Sequence, residues 1–98
     1  MTLIQITPAE IAGSRPRDCR GCPVWRAIRR HVRPEVDVVV EQSFVWFSLT
    51  SAPARQPVTR LLPVAVSRAI ACYDDKREMD PFEFPLDIPA EFLRSAPR

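Results

Sequence analysis

Cys19-Arg20-Gly21-Cys22-Pro23 is the segment richest in reactive groups. Two thiols stand three residues apart, and the second directly precedes a proline suited to open a helix. That places Cys22 beside unpaired backbone N–H groups at the positive end of a helix dipole, a position that favours thiolate. Arg20 and Arg26 push the same way. One chemistry open to the pair is a redox dithiol, but a thioredoxin-like protein needs a βαβ context that is missing here. The other is a structural zinc site. Cys19 and Cys22 supply half of a tetrahedral set, and only His31 and Cys72 remain for the other half. A second CxxC or an HxxxH is missing, so no metal or other cofactor is assigned. Cys72, between Ala71 and Tyr73 on an apolar helix, is expected to be a small buried hydrophobe.

Other catalytic arrangements are weaker. His31 is the single histidine, and no Ser or Asp forms a recognisable motif with it. Near a helix end it reads as a dipole contact. Two glycines cannot build a phosphate-cradling loop. The expectation is that the chain is not an enzyme and has no catalytic residue.

Charge is the second signal. The formal net charge of +2 hides two poles. Arg15, Arg17, Arg20, Arg26, Arg29, Arg30 and Arg33 face only Asp18 over residues 15–33, a local charge of +6. Residues 74–91, with Asp74, Asp75, Glu78, Asp80 and Glu83 in the lead, carry −5. A basic segment is the footprint of a surface for nucleic acid or an acidic partner. It is equally the solvated face of a helix balanced by the acidic half. Thirteen of the fourteen cations are Arg, which favours bidentate contacts over diffuse charge.

The elements that must position these groups follow from periodicity. Leu3–Ile6 is a short strand; Thr7-Pro8-Ala9-Glu10 opens a helical turn with a capping box and stops at Gly13. A helix from Pro23 to about Val32 has Val24, Trp25, Ile28 and Val32 on one face and arginines on the other. The β-branched run Val36–Val40 reads as a buried strand continuing to about Gln42, and it forms a hairpin with Phe44–Leu49, turning at Gln42-Ser43. Alternation sets Phe44 and Trp46 on one face of its second strand and Val45 and Phe47 on the other. Thr50 to Arg60 reads as an exposed connection because of Pro53 and Pro57. A helix from Pro63 to about residues 74–76 buries Leu62, Val66, Ala69, Ile70 and Tyr73. Asp80–Ile88 alternates apolar residues with acids and prolines, as an edge strand or an extended segment lying on the core does.

Ninety-eight residues then make one domain, with a loose tail from about residue 93. The expected class is α+β: a small antiparallel sheet, hairpin 36–49 plus N- and C-terminal edge strands, with two main helices packed on one face. No run of 18 apolar residues exists, so no membrane partner is expected. Three cysteines and no signal-like start point to reduced thiols in cytoplasm.

Laid out this way, the chain resembles a group of small, uncharacterised accessory proteins encoded by tailed bacteriophages. The resemblance rests on a strand followed by the segment Thr7 to Arg17, on Cys22-Pro23-Val24, on Leu62-Pro63, and on the tail Asp80 to Phe84. It spans most of residues 3–92 and brings no catalytic residues with it. It implies action by binding a host or defence macromolecule in the host cytoplasm, a protein first. A defence nuclease or RNA-guided complex is a natural target, with the acidic segment as a phosphate mimic. The basic face (Arg15 to Arg33) and the acidic segment are the two candidate contact surfaces. Direct nucleic-acid binding through the arginines is the alternative, and a thiol or zinc site at Cys19 and Cys22 the second. Opposite poles would also suit a head-to-tail homodimer.

Overall fold

The valine run and the aromatic run in mid-chain form the centre of the molecule, in a computed structural model that describes residues 1–50, 57–76 and 78–94. Strands β2 (Val36–Val40) and β3 (Phe44–Leu49) pair antiparallel, with Val38 opposite Phe47 and Val40 opposite Val45. The Glu41 N–H donates to the Phe44 carbonyl at 2.8 Å, so Gln42-Ser43 is the turn, as expected. Val36, Val38, Val45 and Phe47 are buried, while Phe44 and Trp46 lie on the outer face.

A third strand, β4 (Val58–Leu61), continues this sheet on the far side of β3. It corrects the expectation of an exposed connection up to Arg60; residues 51–56 of that connection lie outside the described residues. Prolines were read as breaking the segment, but Pro57 stands just before the strand, where its missing N–H breaks no pairing.

The class is α+β, and the terminal strands are antiparallel as expected, but they pair with each other in a separate sheet. Strand β1 (Thr2–Ile6) runs against β5 (Phe82–Leu86), from Thr2 opposite Leu86 to Ile6 opposite Phe82. The reason lies at the edges of the central sheet. One edge is taken by β4. The other, along β2, is closed by side chains and loop: the Arg29 guanidinium donates to the Val36 carbonyl and the Trp25 indole to that of Val38 at 2.7 Å. The Val40 N–H donates to the Cys19 carbonyl at 2.9 Å. These three bonds occupy positions that an added strand would need.

Helix α1 (Pro8–Ala12) starts as its sequence requires: the Thr7 N–H and hydroxyl both donate to the Glu10 carboxylate, at 3.2 and 2.9 Å. Helix α2 (Pro23–Arg29) buries Val24, Ala27 and Ile28 against β1 and β2. It ends three residues before the expected Val32. The chain tightens into i→i+3 bonds at His31 and Val32, and Val32 then bridges to Leu93. Helix α3 (Val64–Lys76) buries Val66, Ile70 and Tyr73 at i, i+4, i+7, yet its backbone runs closely along no other element. A 3₁₀ turn, Ala90–Phe92, sets Phe92 on Phe47, with ring centroids 5.9 Å apart. Leu93 and Arg94 remain bonded to Val32 and His31, and residues 95–98 lie outside the described residues.

Candidate functional site

Cys22 sits where its sequence placed it, as the N-cap of α2, with Sγ accepting from the Trp25 N–H at 3.3 Å. The expected thiolate does not follow. The residue is 3% exposed, and burial pushes the thiol up to about 11, outweighing the hydrogen bonds that favour the charged form. Cys72 is corrected too: it is exposed, because it faces the gap that α3 leaves open. All three thiols are free. Among the described residues no group of three or more His, Cys, Asp or Glu is placed to hold a metal, so His31 and Cys72 do not join Cys19 and Cys22. Burial and the neighbouring Arg30 charge push His31 down, so at neutral pH it does not act as the cationic dipole contact expected.

The seven arginines divide into two groups. Arg20 makes a fork to Asp37, at 3.2 and 3.0 Å, which holds that carboxyl below its ordinary value and raises the guanidinium. Arg29 reaches the carbonyls of Val36 and Arg33. Arg30 bridges the Gln5 carbonyl and the Glu10 carboxylate, at 2.9 and 2.8 Å. Burial alone would push Glu10 up; the two Thr7 donors and the Arg30 charge outweigh it and hold the acid below its ordinary value. Arg33 pairs with Glu35 and donates to the Glu91 carbonyl. These four are ties between elements. The side chains of Arg15, Arg17 and Arg26 have no hydrogen bond or ion pair among the described residues. Arg17 also takes a left-handed backbone conformation, φ 58°, fixed by its N–H donating to Asp74 at 2.8 Å.

The acidic segment borders an opening in the molecule. Between α3 and β5 runs an open groove of about 810 Å³. One wall is Ala65, Ala69 and Cys72, a second i, i+4, i+7 stripe adjoining the buried Val66, Ile70 and Tyr73. These side chains are too short to fill the space to the opposite wall. That wall is Met79 with Phe82 and Phe84, whose rings stack at 6.0 Å, and Ile11 contributes from α1. Glu78, Asp80 and Glu83 border the groove, and no Lys or Arg is among the described residues that line it. Glu83 accepts from the Gln5 side chain at 3.3 Å, while Glu78 and Asp80 have no ion pair among the described residues.

Of the five acids singled out from sequence, three therefore meet at the groove. Asp74 instead faces Arg17 and a smaller polar pocket near Cys22, and Asp75 lies exposed on α3. The groove walls were missed. Their one signal in the sequence is the run of small residues beside the core stripe of α3, which an ordinary surface helix shows as well. Phe44 and Trp46, stacked at 6.2 Å on the outer face of the central sheet, form a smaller aromatic surface.

No family model, curated protein or solved structure matches the chain.

Proposed function

We propose that this chain is a small accessory protein of the tailed-phage type that acts by binding another protein, and that the groove between α3 and β5 is its contact site. The observation that carries the proposal is the groove: an open cavity of about 810 Å³ beside the core, lined mostly by apolar side chains with a few carboxylates. Concave sites of that make-up are where another molecule docks. The resemblance of the sequence to phage accessory proteins supports a host or defence protein as the target class.

Direct nucleic-acid binding through the arginines is less well supported. Four of the seven are engaged within the chain, and each phosphate neutralised needs a cation of its own. Three free arginines correspond to a shallow salt dependence and weak retention.

The test compares cross-linked recovery of partners from a bacterial host by the wild-type chain and an Ala69→Trp variant that fills the groove. The proposal expects a protein partner that resists nuclease treatment and is lost from the variant. Recovery of nucleic acid instead, equal in both and falling steeply with salt, refutes it.

A further inference from the structure

We propose that the occupant of the α3–β5 groove is a basic amphipathic helix of the partner protein, apolar on the face that enters the groove and lined with Lys or Arg along its flanks. This rests on the protein-binding reading above and specifies its chemistry.

Charge selects the sign of the partner. The floor and walls are apolar, from Ala65, Ala69, Met79, Phe82 and Phe84, and the ionic residues in the lining, Glu78, Asp80 and Glu83, are all acidic. Among the described residues Glu78 and Asp80 have no counter-ion, so a cation arriving on a partner displaces no pair made by those residues. An acidic segment would instead bring like charges together across the rim, which opposes binding.

Backbone geometry selects a helix over a strand. An extended peptide would have to add to the free edge of β5, and that edge is poor in donors. Pro81 stands just before β5 and Pro85 within it, and neither has an N–H, so the strand offers few donors to an added one. A helix satisfies its own backbone and needs only the apolar trough, which it fills with side chains at i, i+3, i+4 and i+7.

The experiment is fluorescence anisotropy on the full-length chain with three labelled 18-residue model peptides: a Leu/Lys amphipathic helix, its Leu/Glu counterpart, and a scrambled Leu/Lys peptide without helical phase. The wild type is expected to bind the Leu/Lys helix saturably and at least about tenfold more tightly than either control, a difference of about 1.4 kcal/mol. Ala69→Trp is expected to lose about tenfold, and Glu78→Lys with Asp80→Lys to favour the Leu/Glu helix, both variants melting cooperatively by circular dichroism.

A Leu/Glu helix that binds better to the wild type and is lost in Ala69→Trp overturns the basic occupant while leaving the groove as a protein site. Equal binding of the scrambled peptide overturns the helix. Binding of the Leu/Lys helix undiminished by Ala69→Trp overturns both the occupant and the groove.

Discussion

The thiol of Cys22 provides a quantitative test of how the start of α2 is built. At that position the helix dipole favours thiolate and burial opposes it, and burial prevails, moving the group from 9.0 to about 11. The folded value lies above the unfolded one. Its contribution to stability is therefore fully present below about pH 9 and is lost as pH rises through about 11. Two units correspond to at most about 2.7 kcal/mol. The variant carrying Cys19→Ser and Cys72→Ser keeps Cys22 as its single thiol, and Cys22→Ala in the same background is its control. Urea denaturation of the two between about pH 8 and pH 11 should diverge by up to that amount. Alkylation by iodoacetamide gives an independent reading. At about pH 8 the ionised fraction falls about a hundredfold between the two pKa values, and the more basic thiolate recovers about tenfold in intrinsic nucleophilicity. The native protein should react at least about tenfold more slowly than the same protein in urea, with burial slowing it further. A native rate equal to the unfolded one, with an inflection at or below pH 9, would refute the argument and return thiol chemistry to this site.

Three further variants have expected outcomes. Glu10→Gln removes the charged acceptor shared by Thr7 and Arg30 and should lower stability by about 1.5 kcal/mol, the small end for bonds to a charged group because Arg30 is half exposed. Because Glu10 and Asp37 are held below 4.5 and 3.8, the stability they contribute is present above those values and lost as pH falls below them; urea titrations should show a shallower acid loss in Glu10→Gln than in wild type, and identical slopes would remove Glu10 from the account. Gly21→Ala brings a Cβ to 2.5 Å from Asp18 Oδ2, whose other oxygen accepts from the Arg20 N–H, so it should lower stability by about 1 kcal/mol, with little further loss when Asp18→Ala is added. Arg29→Lys leaves one of two carbonyls unserved and should cost about 1 kcal/mol by thermal melt; a neutral result would show that the β2 edge does not depend on the guanidinium fork.

The hairpin was legible because β-branched residues from Val36 to Val40 and the alternation from Phe44 to Leu49 agree with each other at short range. The start of α1 was legible for the same reason: Thr7, Pro8 and Glu10 act within one turn. What escaped depends on distant pairings. Arg20 finds Asp37 at 17 residues' separation and Arg30 finds Glu10 at 20, and no local pattern marks either. Strand β4 escaped because four residues after a proline give too short an alternation to outweigh the turn signals around them. The groove escaped for a different reason. Ala65, Ala69 and Cys72 become a wall only because no described residue fills the space beside them, and the distance between α3 and β5 is set by the packing of both elements.

The arginine excess and the groove are connected through the edges of the two sheets. Each sheet of this small molecule has an edge that would otherwise invite pairing with another chain. Along β2 that edge is closed by Arg29, Trp25 and the Cys19 carbonyl, and along β1 Arg30 takes the Gln5 carbonyl. A guanidinium suits this task because its donors spread over several acceptors, where an ammonium is a point charge. Much of the basic segment is thereby committed to finishing the fold, which explains a local charge of +6 without requiring a polyanionic ligand. The acidic segment differs: among the described residues Glu78 and Asp80 take part in no such closure and border the groove between α3 and β5. A charged residue that ties two elements together is accounted for by the fold, whereas a carboxylate bordering an unfilled groove is accounted for by what enters it. By that criterion the binding face we propose lies with the acidic half of the chain.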